Sequence, residues 1–255
     1  QTTGVCHFDK VHVPWERVFM CGEWMHADDL TKGYATHHRH TCIGARAGFG
    51  DLLIGAGALM IEANGLCMEK NEHLRDSMVE LIKLVEGFYA CGVAASIYGT
   101  RETAGNSMPE PVYANIGKLL LSNQIYDMHR LAHTVSGGLI VTLPTPEDDH
   151  NPETGPDLAL ALQGQPNVSY QRRASVARFL EDITATEAGG WMSVISLHGG
   201  GSPQAMKGEI HRRYPIPERQ RLVERLIERG VSTQDGDTSN ARQPGQCCDT
   251  GCVKD

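Results

Sequence analysis

The stretch YATHHRHTCIGARAGFGDLLIGAGAL, residues 34–59, opens with three histidines and a cysteine and continues largely in Gly and Ala. As a helix it puts His38, Cys42 and Ala45 at i, i+4 and i+7, on one face. Imidazole and thiolate are competent ligands, so one reading is a metal or iron–sulfur site. A satisfied core histidine beside a packed thiol fits the same spacing, as does a general acid–base histidine. Two ligands do not complete a site, and no others lie nearby in sequence. The segment runs on to Asn64–Gly65, a helix stop.

Working outward, residues 71–100 carry Leu74, Met78, Leu81, Ile82, Val85 and Phe88 at the spacing of one helical face. A third helix follows GNSMPEP, with Pro in its first turn and Gly137–Gly138 past its end. Residues 144–168 read as a Pro-rich, acidic connection holding one short helix. Two further helices are expected over about 169–197 and 203–229. Upstream, GVCHFDKVHVPWERVF (4–19) alternates loosely and reads as a strand or two ending at Pro14. The organisation expected is the end of a β domain at 1–27, a helical bundle at 28–231 and a polar tail at 232–255.

The 255 residues, 40% hydrophobic and 21% charged, suffice for one substantial core or two modest ones. No apolar run approaches 18 residues without polar interruption, so no membrane span is expected. A net charge of -8 gives no basis for nucleic-acid binding. An anionic ligand would need local groups such as Arg39, Arg46, Lys118, Lys207, Arg212 and Arg213. Five of the eight cysteines are scattered singly, the pattern of reduced cytoplasmic thiols. The opening QTTGVCHFDK reads as a fragment, a processed piece or a subunit.

Two glycine motifs suggest backbone approach to a cofactor. SGGLIVTLP (136–144) sets Gly137 and Gly138 after a helix, either a plain helix stop or a contact to phosphate or flavin. SLHGGGSPQAMK (196–207) bares backbone N–H groups at a helix start, a fit for pyrophosphate or a plain hinge. Cys247, Cys248 and Cys252 in the tail match no common zinc spacing, and a flexible tail is the simpler reading.

FDKVHVPWERVF, HHRHTCIGARAGFGDLLIGAGAL, ELIKLVEGFYACGVAAS, YANIGKLLLSNQIYDMHRLAHTVSGGLIVTLP, NPETGPDL and LHGGGSPQAMK occur in this order. Together, over about residues 4–230, they resemble the 4-hydroxyphenylacetate 3-hydroxylase family of flavoproteins. The nearest likeness is to its 4-hydroxybutyryl-CoA dehydratase/vinylacetyl-CoA isomerase branch. The resemblance implies an acyl-CoA-dehydrogenase-like fold: mainly α, a C-terminal bundle preceded by the last strands of a β-barrel. It implies FAD, with Gly200, Gly201, Ser202, Gln204, Gly137 and Gly138 as cofactor contacts. It also implies a homo-oligomer, and an N-terminal half or separate chain supplying the rest of the active site. Without that half the chain is expected to be inactive.

In that branch the corresponding helix gives a His and, seven residues on, a Cys to a [4Fe-4S] cluster. His38 matches the first and Ala45 stands at the second; Cys42 stands where the branch carries a Tyr, Arg46 where it carries a Lys. Ile195 replaces a Glu of the branch, and a further carboxylate has no match at residues 1–3. Cluster binding through His38 and Cys42 is therefore disfavoured, while the flavin reading stands. The resemblance implies His38 and Arg46 as the catalytic pair, acting on an activated C–H of a CoA thioester or similar small acid. The alternatives are a two-component phenol monooxygenase using reduced flavin, and a non-catalytic bundle subunit completing a partner chain.

Overall fold

A computed structural model describes residues 4–232. The elements are α1 (Ala27–Ala63), α2 (Glu72–Ile97), a two-stranded antiparallel hairpin of β1 (Thr100–Arg101) and β2 (Ser107–Met108), α3 (Pro111–Ser136), α4 (Pro146–His150), α5 (Gly155–Ala161), α6 (Tyr170–Thr184), α7 (Glu187–His198), α8 (Pro203–Arg213) and α9 (Ile216–Ser232). The chain divides at Arg213: residues up to it form one compact unit, and those from Tyr214 another.

In the first unit α1, α2, α3 and the α6–α7 pair make a four-strut bundle. α1 and α3 run the same way. Arg39 reaches Asn115 towards one end, and Asn64 donates to the Ser136 carbonyl at the other. α2 runs opposite, its Gly92 meeting Ile43 and its Val85 meeting Gly50. The fourth strut returns from Arg173, bonded to Asn64, to Ser196, bonded to Arg46 and Lys118. The core between the struts holds Ile43, Leu53, Met60, Leu81, Phe88 and Leu121, each almost fully buried. A Cβ on Gly117 would stand 2.5 Å from Ile43 Cδ1 and 3.1 Å from the Phe88 carbonyl. Glycine there lets three helices meet side by side.

The first three helices form where periodicity places them. α3 starts on Pro111, with the Glu110 carboxylate accepting from Tyr113 N–H, and ends at Gly137 with φ 76°. Four expectations fail. No strand forms over 4–19: the segment carries one short 3₁₀ turn, Trp15–Arg17, and Val5, Phe8, Trp15 and Phe19 are exposed. A strand needs a partner for its N–H and C=O groups, and among the described residues none lies beside it. The 144–168 connection holds two short helices, α4 and α5, rather than one. The helix expected over 169–197 breaks at Thr186, whose extended backbone starts α7 afresh. The one expected over 203–229 breaks at Pro215, which lacks an N–H and biases Tyr214 away from helix.

A fifth difference concerns α1. With the turn before it, the stretch Trp24–Ala63 is long and apolar enough to cross a membrane by length and composition. Its apolar side is instead the bundle core, and Arg39 and Arg46 within it bond to α3, to α7 and to the loop after α7. Those are the contacts of a core helix. In the second unit, α9 exposes Leu222, Val223, Leu226 and Ile227, and the Arg219 guanidinium lies 5.7 Å from the Tyr214 ring centre. The tail thiols Cys247, Cys248 and Cys252 lie outside the described residues.

Candidate functional site

The helical repeat of α1 sets His38, Cys42 and Arg46 one turn apart along a half-buried edge. Cys42 Sγ lies 3.5 Å from His38 Nδ1, and Arg46 Nε donates to Ser196 Oγ on α7. Beneath this edge lies Lys118 of α3, fully buried. Its ammonium donates to Ser122 Oγ at 2.9 Å and, more closely, to the Ser196 carbonyl. Burial lowers Lys118 from 10.5 to about 8; the Cys42 thiol opposes that shift, and the Arg46 and Arg39 charges add to it. Burial likewise lowers Arg46, again with Cys42 opposing. The thiol therefore sits within electrostatic reach of two cations.

The glycine loop after α7 closes over the same edge. Arg39 Nε donates to the Gly200 carbonyl at 2.8 Å, while its NH1 donates to Asn115 Oδ1 at 2.7 Å. Gly200 has φ 78°, and a Cβ there would lie 2.7 Å from His38 Nδ1. Gly201 is similarly close to Arg39. Ser202 caps α8, accepting from Ala205 N–H, and Gln204 is exposed. The space opened by these glycines is thus taken by His38 and Arg39 of the same chain.

Gly137 and Gly138 lie at the far end of α3, about 28 Å along the axis from Lys118. They border a cavity of about 640 Å³ lined also by Tyr126, His129, Arg130 and His133. His133 Nε2 pairs with Thr184 Oγ1 at 2.7 Å. His129 Nδ1 is 3.4 Å from Ser193 Oγ, but its Nε2 is buried without a partner. Burial, with His133 adding to it, holds His129 down at about 4. The six predicted cofactor residues therefore fall into two groups that one chain does not bring together.

The donors can be weighed against the groups the family resemblance implies. A [4Fe-4S] cluster takes four protein ligands. His38 and Cys42 are two, Ala45 offers none, and among the described residues no three His, Cys, Asp or Glu side chains gather as a metal site. Within the described residues two of the four donors are at hand. A flat anionic cofactor calls instead for cations and bare backbone. The cavity at the end of α3 offers Arg130, bare backbone at Gly137–Gly138 and the orphaned His129 nitrogen.

The sequence marks Lys118 and Arg39 only as candidate partners for an anionic ligand, and singles out none of Asn115, Ser196, His129 and His133. The available signal for Lys118 was register: it shares a helical face with Leu121, Ser122 and Ile125, all buried.

Residues 27–228 match the family described as HpaB, 4-hydroxyphenylacetate 3-hydroxylase C terminal. The chain belongs to this family. It is 33% identical over 228 residues to the 4-hydroxybutyryl-CoA dehydratase/vinylacetyl-CoA-Delta-isomerase of Clostridium aminobutyricum, covering 86% of this chain and 46% of the relative. An oxygen-tolerant archaeal 4-hydroxybutyryl-CoA dehydratase from N. maritimus superposes with a TM-score of 0.81 at 32% identity, covering 94% of this chain and 46% of that one. An HpaB oxygenase component of 4-hydroxyphenylacetate 3-monooxygenase, complexed with FAD, shares the fold. Its TM-score is 0.78 at 21% identity, over 89% of this chain and 48% of its own. The chain thus spans about half the length of these HpaB-family relatives.

Proposed function

We propose that this chain is the helical part of a flavin-dependent enzyme acting on an activated C–H bond of a CoA thioester or similar acid. The observation that carries the reading is the polar edge of α1: His38, Cys42 and Arg46 above the buried Lys118, with the Gly200 loop closed over it. The 33% identity to the dehydratase supports the substrate class. His38 would take the proton from the activated carbon at its imidazole. Arg46, anchored by Ser196, would stabilise negative charge developing on the substrate carbonyl. Lys118 keeps positive potential beneath both without touching solvent. Bound FAD would supply the electron transfer. Arg130 with the bare backbone at Gly137–Gly138 suits its phosphates. The Gly200–Gln204 loop would then hold His38 rather than the cofactor. Free thiols at Cys6, Cys21, Cys42, Cys67 and Cys91 support a cytoplasmic setting.

Ala45, standing where the dehydratase branch carries a cluster cysteine, favours a second reading, a two-component phenol monooxygenase fed with reduced flavin. Both readings are tested on the chain joined to the half its relatives possess. Anaerobic conversion of 4-hydroxybutyryl-CoA, abolished by His38→Ala, is expected. Hydroxylation of a phenol that requires oxygen and a reductase would establish the second reading instead. FAD retention with neither activity would point to a non-catalytic bundle.

A further inference from the structure

Arg39 follows His38 directly on α1, turned about 100° from it around the helix axis, and is only 5% exposed. Its Nη1 donates to Asn115 Oδ1 at 2.7 Å, and its Nε donates to the Gly200 carbonyl at 2.8 Å. Asn115 is 1% exposed and donates through its own amide nitrogen to the Pro111 carbonyl, which turns Oδ1 towards the guanidinium. Both acceptors of Arg39 are neutral. Desolvating a cation is costly, and here it is offset by two charge-assisted bonds to partners that the backbone fixes.

We propose that Arg39 is a positioning residue for His38: by bonding the Gly200 carbonyl it seats the glycine loop against the imidazole. The loop is pinned at its two ends. Lys118 and Ser122 hold the Ser196 carbonyl near the end of α7, and Ser202 caps α8. Between those ends, among the described residues, Arg39 is the one side chain from another element that hydrogen-bonds residues 199–202. Gly200, at φ 78°, then passes so near the ring that a Cβ would lie 2.7 Å from His38 Nδ1 and 3.4 Å from Arg39 Cγ. Tyr34 flanks the same ring with 5.7 Å between centroids, and Cys42 Sγ meets Nδ1 at 3.5 Å. Nδ1 is thus enclosed. Nε2 has no hydrogen-bond partner among the described residues and is the nitrogen left for a substrate.

This role rests on the reading of His38 as the base, yet the setting of the ring can be measured without turnover. Three consecutive glycines turn freely unless something outside holds them. Losing a hydrogen bond from a charged donor makes local opening about 10-fold easier or more. The amides that report such opening are Gly199 and Gly201, which bond the Ile195 and His198 carbonyls at 2.7 and 3.2 Å.

The test uses the 255-residue chain, read by hydrogen exchange and by nitrogen NMR of its histidine rings, with His38→Gln identifying the His38 signals. Arg39→Ala is expected to speed exchange at Gly199 and Gly201 about 10-fold or more. It should also move the His38 Nδ1 and Nε2 signals towards those of a free imidazole. Guanidinium ion, added well below denaturing concentration, should restore both. Asn115→Ala keeps the charge but removes its stop; it should show the same changes at smaller size, and it serves where Arg39→Ala does not fold. Faster exchange with unchanged His38 signals would overturn the proposal, because Arg39 would then hold the loop and not the ring. Unchanged exchange would overturn it as well. In the chain joined to the half its relatives possess, Arg39→Ala should lower kcat and leave KM in place. Ring signals that move while turnover stays constant would keep the positioning role and refute His38 as the base.

Discussion

Lys118 is a charge held where charge is unfavourable, and stability should register it. Its ammonium is fully buried, and its folded pKa is about 8 against 10.5 when exposed. Between those values the unfolded chain holds a proton that the folded chain has released. Stability therefore rises with pH across that window, and is lowest below about pH 8. From pH 8 to 9.5 is 1.5 units, worth about 2 kcal/mol at roughly 1.4 kcal/mol per unit. Lys118→Met keeps the length of the side chain and removes the titration. Ser122 Oγ, 3.1 Å from the Ser196 carbonyl, remains to bond it. Urea unfolding of both proteins at pH 7 and 9.5 isolates the group, since every other titration is common to the two. The variant should be the more stable by about 1–3 kcal/mol at pH 7, and the gap should shrink by about 2 kcal/mol at pH 9.5. A gap that stays constant across the window would refute a charged, desolvated Lys118. A less stable variant at pH 7 would show that the ammonium's two hydrogen bonds outweigh its desolvation.

Two further outcomes follow from the same reasoning. Gly200→Ala forces φ 78° on a residue with a Cβ and brings that Cβ to 2.7 Å from His38 Nδ1; a loss of about 1–2 kcal/mol, read as a Tm lower by about 2–8 °C, is expected. His129, held near 4 by burial, must take up a proton as the chain unfolds in acid. Its contribution is complete above about pH 6.5 and is lost as pH falls towards 4. His129→Leu should flatten the acid limb of a stability–pH profile, and an unchanged limb would mean that His129 already shares its proton with a partner.

The parts of the fold legible in sequence are those where one seam of apolar residues meets clear stops. α3 is the plainest case, bracketed by Pro111 and Gly137. α2 shows where periodicity loses its power: Ile82 scores as core by spacing, yet lies on the outer seam. A helix with two apolar seams gives one pattern, and only packing tells inside from outside. The break at Thr186 was hidden because Ala and Thr around it neither forbid nor demand a helix. The strand over 4–19 had a fair alternation but no neighbour to pair with, and pairing is what makes a strand. In the candidate site, His38, Cys42 and Arg46 could be found from spacing on one helix. Their support could not, because Lys118, Ser196 and Gly200 come from 72–162 residues away.

α3 is one unbroken rod carrying Lys118 near its start and the Gly137–Gly138 turn at its end. A rod keeps not only distance but also rotation between its ends. Adding or removing one residue between positions 118 and 137 would move the far turn by about 1.5 Å but swing it about 100° around the axis. Arg130 and His133 would leave the cavity while Lys118 stayed in place. Natural variants of this chain should thus vary in length through the 144–168 connection and almost never within α3. Two chemically separate regions are timed to each other by nothing more than a count of residues.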